Sequence, residues 1–473
     1  MSLRQRAYER PAVPFRFVDL PSEVRGADGG REPNPVLKTA IFVVHGIGLQ
    51  RYPQTAVTLR CGFEDAIDQI NREHPTVDVP PPFTYEGFWA DYAVFETNFP
   101  REWQACSERE RLFFSELWQR RSISALRTAV WFCRENLRLF HRRTIQDAGK
   151  LRGLTLMAAA PLTVLAAAAM LVRHPRVLAE VLGDVRIYCD PRGDVETAIV
   201  QRVDYRVGAE FLKLLGLDWG FHDLPWHEQL EISGTRHVFT HVTWVAHSLG
   251  SVISFNVIGD ILHRARSLQR RLADRAEARG PGAPVPEEDR QLSHNIARVE
   301  TGLHRFVTLG SPLEQIRALF PDVLRPWPDG AQDRFGRRYA PGQRPTTRRS
   351  WWVNFYHVVD PISSRLVAPE FAPYVSNQHA RLLRVPGAAH ISYWHDSSIL
   401  KYLVSRAYGS KLCPWPDPRF VSERVCNALR HVTAWLTLAG VVALLVVVGW
   451  WVASGRAWHT LWSTVTTWIR SLL

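Results

Sequence analysis

The sequence predicts an α/β protein with a doubly wound, mainly parallel sheet, and three observations predict it. First, apolar runs of strand length recur along the chain: KTAIFVVHGIG (38–48), FTYEGFWADY (83–92), HVTWVAHS (241–248), RFVTLGSP (305–312), WWVNFYHVVDP (351–361) and ARLLRVPG (380–387). Second, segments with apolar residues at helical spacing separate several of these runs, the pattern that layers helices on a parallel sheet. Third, the runs end in small or polar residues, at the carboxyl edge where sheets of this kind carry their functional groups.

Taken in order, residues 1–36 are polar and rich in Pro, Gly and Arg, and read as an extended tail. The α/β domain spans 37–408. The β-branched run at 38–48 stops at glycines, so a buried strand enters a tight turn. A helix follows, with Val57, Leu59, Phe63, Ile67 and Ile70 as its inner face. Another strand is expected over 83–92. Residues 93–190 form a helical, partly apolar insertion, and 193–215 an amphipathic helix with Asp194 near its start. After the strand at 241–248, Val252, Ile253, Phe255, Ile258 and Leu262 recur at helical spacing. The charged, Pro- and Gly-rich stretch 272–291 reads as a flexible linker. Three more strands and a helix over 397–408 complete the domain.

Beyond it, Val432 to Ser454 is 23 residues without a charge, against the roughly 20 that a spanning helix needs. Trp435 lies near one end, Trp450 and Trp451 near the other, as interfacial aromatics do. Lys401, Arg406, Lys411, Arg419, Arg424 and Arg430 precede this segment, and only Arg456 and Arg470 follow it. The positive-inside rule therefore predicts a single-pass membrane protein with its large N-terminal part in the cytoplasm. Residues 455–473 gather Leu461, Trp462, Val465, Trp468, Ile469 and Leu472 on one helical face, an amphipathic interfacial tail.

A second uncharged run, Leu154 to Val172, is broken by Pro161. One crossing there would put the strands ending at His45 and Ala246 on opposite sides of a bilayer, so no common sheet could form. The run must be one arm of a hairpin, lie in the interface, or pack as a buried or lid helix. Its only partner arm, about 122–140, carries Arg127, Arg134, Glu135 and Arg138, too costly for a simple span. An apolar insertion that faces lipid or covers a site is expected, rimmed by basic residues suited to an anionic leaflet.

The 473 residues are 46% hydrophobic with 18 tryptophans, ample for a sizeable core. Six scattered cysteines without C-x-x-C spacing indicate a reducing compartment. The N-terminus has no apolar core, so no signal peptide is expected. The net charge of +12 favours anionic partners. The basic residues are spread rather than clustered and no nucleic-acid motif occurs, so membrane is the expected partner and nucleic acid is not. WHEQL around His227 lacks the second histidine of H-E-x-x-H, and no phosphate-binding glycine loop occurs, so neither metal nor cofactor is expected. Nothing in the sequence specifies an oligomer.

The strand ends read His45-Gly46-Ile47-Gly48, then Ser248, Ser311, Asp360 and, past the last run, His390. Pro312 makes Ser311 a turn residue. The remaining ordered set resembles the α/β-hydrolase superfamily, in particular its membrane-associated lipase and serine-esterase branches, over roughly residues 38–405. The family pattern G-x-S-x-G stands here as Ala246-His247-Ser248-Leu249-Gly250, with alanine in place of the first glycine. The resemblance implies that Ser248 is the nucleophile, His390 its base and acid, and Asp360 the orienting carboxylate that falls between them in chain order. His395, beside Asp396, is the alternative base. The oxyanion hole would come from the N–H of Leu249 and of Ile47 or Gly48, with His45, Gly46 and Gly250 supporting the loops. The implied activity is cleavage of carboxylic esters, lipid acyl esters among them, through an acyl-enzyme. Acyl transfer or thioester cleavage would use the same machinery, and a membrane scaffold that lost its activity would share the fold.

Overall fold

The computed structural model describes residues 22–25, 30–46, 54–75, 78–87, 89, 185, 188–191, 194–232, 235–336, 350–357, 360, 362–380, 388–409 and 412. Six strands form one sheet, parallel throughout: β1 (Thr39–Val44), β2 (Phe83–Glu86), β3 (His241–His247), β4 (Leu303–Leu309), β5 (Trp352–Tyr356) and β6 (Val375–His379). Their order across the sheet is β6-β5-β4-β3-β1-β2. Every residue of β1 and β5 is buried, and all of β3 after its first. Burial on both faces is why these strands read as continuous apolar runs.

Helices cover both faces. Phe42, Trp244, Phe306 and Trp352 lie in register across four strands. Against that face pack α2 (Asp194–Leu214), whose Phe211 meets Phe42 and Trp244, and α3 (Leu249–Arg279), whose Ser254 accepts the Trp244 indole N–H at 2.8 Å. On the other face α1 (Gln54–Glu73) packs on α7 (Ser397–Tyr408), with Gly62 directly against Leu400 and Tyr402 against the Phe355 ring. The expected inner face of α1 is buried at Leu59, Phe63, Ile67 and Ile70, while Val57 is half-buried.

The sheet grows from β1 first to one side (β2), then to the other (β3), so the carboxyl ends of β1 and β3 flank the crevice where such sheets bind ligands. Two shorter helices follow at that edge, α5 (Leu313–Leu319) just after β4 and the single turn α6 (Ala388–Ile391), whereas α4 (Glu287–Gly302) leads into the opposite end of β4.

Two expectations need correction. The stretch 272–291 is not a flexible linker: α3 runs to Arg279, α4 begins at Glu287, and only the Pro- and Gly-rich 280–286 joins them. Arg275 and Arg279 clasp the buried Asp289 at 2.9 and 2.5 Å, so the charges that suggested a linker hold two helices together. A strand that apolar content does not announce, Val375–His379, is added at the edge by backbone pairing to β5 and by Asn377; of the run 380–387, where the last strand is expected, 381–387 lie outside the described residues. Nor is all of 1–36 an extended tail. Glu23–Arg25 pairs antiparallel with Arg31–Pro33, and a 3₁₀ turn capped by the Asn34 side chain buries Val36.

Among the described residues, no helix is long and apolar enough to cross a membrane. The runs 154–172, 432–454 and 455–473 lie outside them, as does nearly all of 93–190.

At the end of β2, buried Glu86 accepts the first N–H groups of α1, from Thr55 and Ala56, both at 3.1 Å. Burial pushes its carboxyl up to about 7, against the pull of those bonds. The native state then holds the proton more tightly than the unfolded chain, so this group's stabilisation is lost as pH rises from about 4.5 to 7, roughly 3 kcal/mol at 1.36 kcal/mol per unit. Glu86→Gln keeps an acceptor oxygen and cannot ionise. Chemical denaturation should find the variant gaining about 2.5 kcal/mol on the native chain between pH 5 and pH 8. An unchanged gap would contradict this account of Glu86.

Candidate active site

Strand β3 delivers Ser248 to the sheet's carboxyl edge, and the turn there is strained. Ser248 adopts φ 53°, ψ −130°, one of two non-glycine residues with positive φ among the described residues. A β-carbon at such a φ is crowded by the backbone, and the conformation persists only where the surroundings impose it. Here the Ser248 N–H donates to Leu309 O at 3.1 Å, and the Ser251 hydroxyl donates to the Ser248 carbonyl.

Close approach of bare backbone also shapes the turn. A β-carbon on Gly250 would stand 2.3 Å from the His45 carbonyl oxygen and 2.6 Å from that of Val44. One on Gly46 would stand 2.6 Å from Ser248 Cβ. The start of α3 thus crosses directly over the end of β1, and only glycine fits at either position. Ala246 lies buried inside β3, paired with Val44 and Thr308.

Ser248 sits at the N-cap position of α3, yet its hydroxyl makes no capping bond. It faces His390 Nε2 instead, at 2.8 Å. The other ring nitrogen of His390 lies 2.9 Å from Asp360 Oδ2. Because the carboxylate only accepts, Nδ1 carries the proton and Nε2 is free to take one from the serine. Position 390, on α6, thus supplies the imidazole at Ser248. His395 lies in the next 3₁₀ turn, Tyr393–His395, and its neighbour Asp396 caps α7 by accepting the N–H groups of Ser398 and Ile399.

Asp360 is buried in the loop four residues past the end of β5, not at the end of the strand. Oδ1 accepts the Ile362 N–H at 2.9 Å, and Oδ2 accepts the Tyr393 hydroxyl at 2.9 Å as well as the histidine. Burial alone would push this carboxyl up. The hydrogen bond and charge of His390, with the Ile362 and Tyr393 donors, outweigh it and hold the group at about 2. Burial and the Asp360 charge in turn push the Tyr393 phenol well above its ordinary range, so it stays a donor. A serine hydroxyl, an oriented imidazole and an ionised carboxylate in this relation can generate a nucleophile.

Leu249 is the first residue of α3, where an N–H has no intrahelical acceptor and can face a developing anion. Ile47 and Gly48 lie outside the described residues. His45 anchors the loop that leads to them: Nδ1–H donates to Gly46 O at 2.7 Å, its carbonyl accepts the Trp89 indole N–H at 3.0 Å, and the two rings stack 5.1 Å apart. Burial pushes its imidazole down to about 4. Ser311 is buried in the turn ahead of α5, where its hydroxyl accepts the Leu313 N–H at 3.4 Å. Among the described residues, no three His, Cys, Asp or Glu side chains converge as a metal ion would require.

Several contributors are not apparent in the sequence. A polar row in register, Thr308–Asn354–Asn377, crosses β4, β5 and β6 at 2.9 Å per bond. Its amides continue to the Ser364 and Leu366 carbonyls, fastening the loop that carries Asp360. Ser363 adds a 2.9 Å bond to the Tyr393 hydroxyl. Gly310, at φ 60°, lets the Tyr393 ring approach the end of β4, where a β-carbon would meet it at 2.7 Å. The only signals are polar residues inside apolar runs and a tyrosine three positions after the histidine. Comparison with protein-family models, with curated proteins and with solved structures finds no match for this chain.

Proposed function

We propose that the chain is a serine hydrolase of the α/β-hydrolase kind that cleaves carboxylic esters. The observation that carries this reading is the Ser248 hydroxyl, held in a strained turn and facing His390 Nε2 at 2.8 Å instead of capping its helix. Ser248 Oγ attacks the ester carbonyl as Nε2 takes its proton, and the carbonyl electrons become an oxyanion facing the Leu249 N–H. Collapse expels the alcohol, which receives the proton from His390, and leaves an acyl-serine. Water repeats the cycle: His390 takes its proton, the acid leaves, and the serine regains its hydrogen. Asp360 stays ionised throughout and steadies the imidazolium.

The acyl part is proposed to be apolar, drawn from lipid esters at a cytoplasm-facing membrane to which the 432–454 segment anchors the chain. Ile391, directly after the base, is 59% exposed, and Ile362, whose N–H holds Asp360, is 36% exposed. Ile391→Glu is expected to lower kcat/KM for long-chain esters about tenfold more than for acetate esters, the scale of burying part of one apolar side chain. Equal effects on both would remove the apolar acyl assignment.

Steady-state and stopped-flow assays with chromogenic esters test the reading as a whole. A burst of alcohol stoichiometric with enzyme, followed by slower turnover, is expected if acylation precedes hydrolysis. A chain that folds but turns over no ester would instead be a membrane scaffold of the same architecture.

A further inference from the structure

We infer that His247 is a positioning residue for this reaction, tying the turn that bears the nucleophile to the turn that bears the base. The inference rests on the serine-hydrolase reading above. His247 is the chain neighbour of Ser248, and its Nε2 lies 2.8 Å from the backbone carbonyl of His390. A carbonyl only accepts, so Nε2 carries the hydrogen and donates it. The ring is buried, tilted against the imidazole of His390 at 4.9 Å between centroids and against Trp394 at 5.1 Å. Burial and the neighbouring His390 push its imidazole down to about 3, so it remains a neutral donor.

The need for such a tie follows from the length of α6. Four residues are too few to hold a helical turn by their own hydrogen bonds. The direction of the His390 side chain therefore depends on what grips the turn from outside. Asp360 holds the far side of the ring, and Tyr393 holds Asp360. His247 grips the main chain of the base itself, from the residue adjoining the nucleophile. Serine and histidine, 142 positions apart, are thereby referenced to each other through one side chain.

The test compares the full-length protein with His247→Phe, which keeps a ring and loses the donor, and with His247→Gln, whose amide nitrogen reaches about as far as Nε2. For each, the rate of labelling by a fluorophosphonate, kcat and KM for an acetate ester, and the thermal midpoint are measured. H247F is expected to lose between tenfold and a hundredfold in kcat and labelling rate, the scale of a slight misplacement of a catalytic group, with KM within about twofold; H247Q should stay within about threefold of the native chain. Native kcat and labelling in H247F would overturn the inference, as would equal losses in both variants that follow their thermal midpoints. Should H247F not fold, His247→Met takes its place. If no apolar variant folds while H247Q does, the bond serves the fold alone and the inference falls. If the native chain neither labels nor turns over ester, the hydrolase reading itself fails, and that outcome is separable from all the others.

Discussion

Replacing Ser248 with alanine is expected to lower ester turnover by at least ~10⁴-fold, because only background binding and oxyanion stabilisation would remain. Replacing it with glycine should abolish turnover equally and also make the protein more stable. Glycine accepts φ 53°, ψ −130° without the β-carbon clash. Strain at such positions runs to about 1–3 kcal/mol, and the greater freedom of glycine in the unfolded chain offsets part of the relief, leaving a gain of about 1 kcal/mol. Denaturant midpoints of the native chain, S248A and S248G measure it. A serine serving as a helix cap would give the opposite result, because glycine in its place is slightly destabilising.

Asp360→Asn should reduce kcat by about 10³- to 10⁴-fold without unfolding the protein. An amide can present its NH₂ to His390 Nδ1, which drives the proton to Nε2 and leaves nothing to receive the serine hydrogen. The loss should persist across the pH range, since it reflects a tautomer rather than a missing charge. Stability shifts as well. The native carboxyl lies at about 2, below its ordinary 3.8. Its stabilisation is therefore present above pH 3.8 and lost as pH falls towards 2, about 2 kcal/mol in all. Acid denaturation of the native chain should steepen in that window, and D360N should lack this component. An asparagine variant with native kcat would remove Asp360 from the proton relay.

How far the fold is legible depends on what each segment buries. β1, β3, β4 and β5 announce themselves because parallel strands covered on both faces must be apolar at nearly every position. Their ends are harder to place: the run 351–361 yields only Trp352–Tyr356, and the polar residues His357 and Asp360 beyond it are buried as well, so burial does not stop where the strand does. β6 escapes an apolar reading because an edge strand is recruited by backbone bonds and by Asn377, neither of which has an apolar signature. The α3–α4 pair reads as a linker because composition cannot distinguish solvated charges from Arg275 and Arg279 closing on Asp289.

The candidate site is legible to the extent that it is ordered along the chain. Chain order, matched to the α/β-hydrolase pattern the sequence resembles, points to Ser248, Asp360 and His390, and the three converge within hydrogen-bonding reach. Their support is not legible, because it runs between strands. Tyr393 meets Asp360 from 33 residues away, and Thr308 reaches Asn354 across 46. Such bonds exist only once the sheet has set its register.

Peptide mapping of the native protein after reaction with a fluorophosphonate tests the central claim most directly. The account predicts one adduct, on the peptide carrying Ser248, whose formation slows greatly in His390→Ala and disappears in Ser248→Ala. An adduct on another serine, or labelling that survives Ser248→Ala, would contradict it.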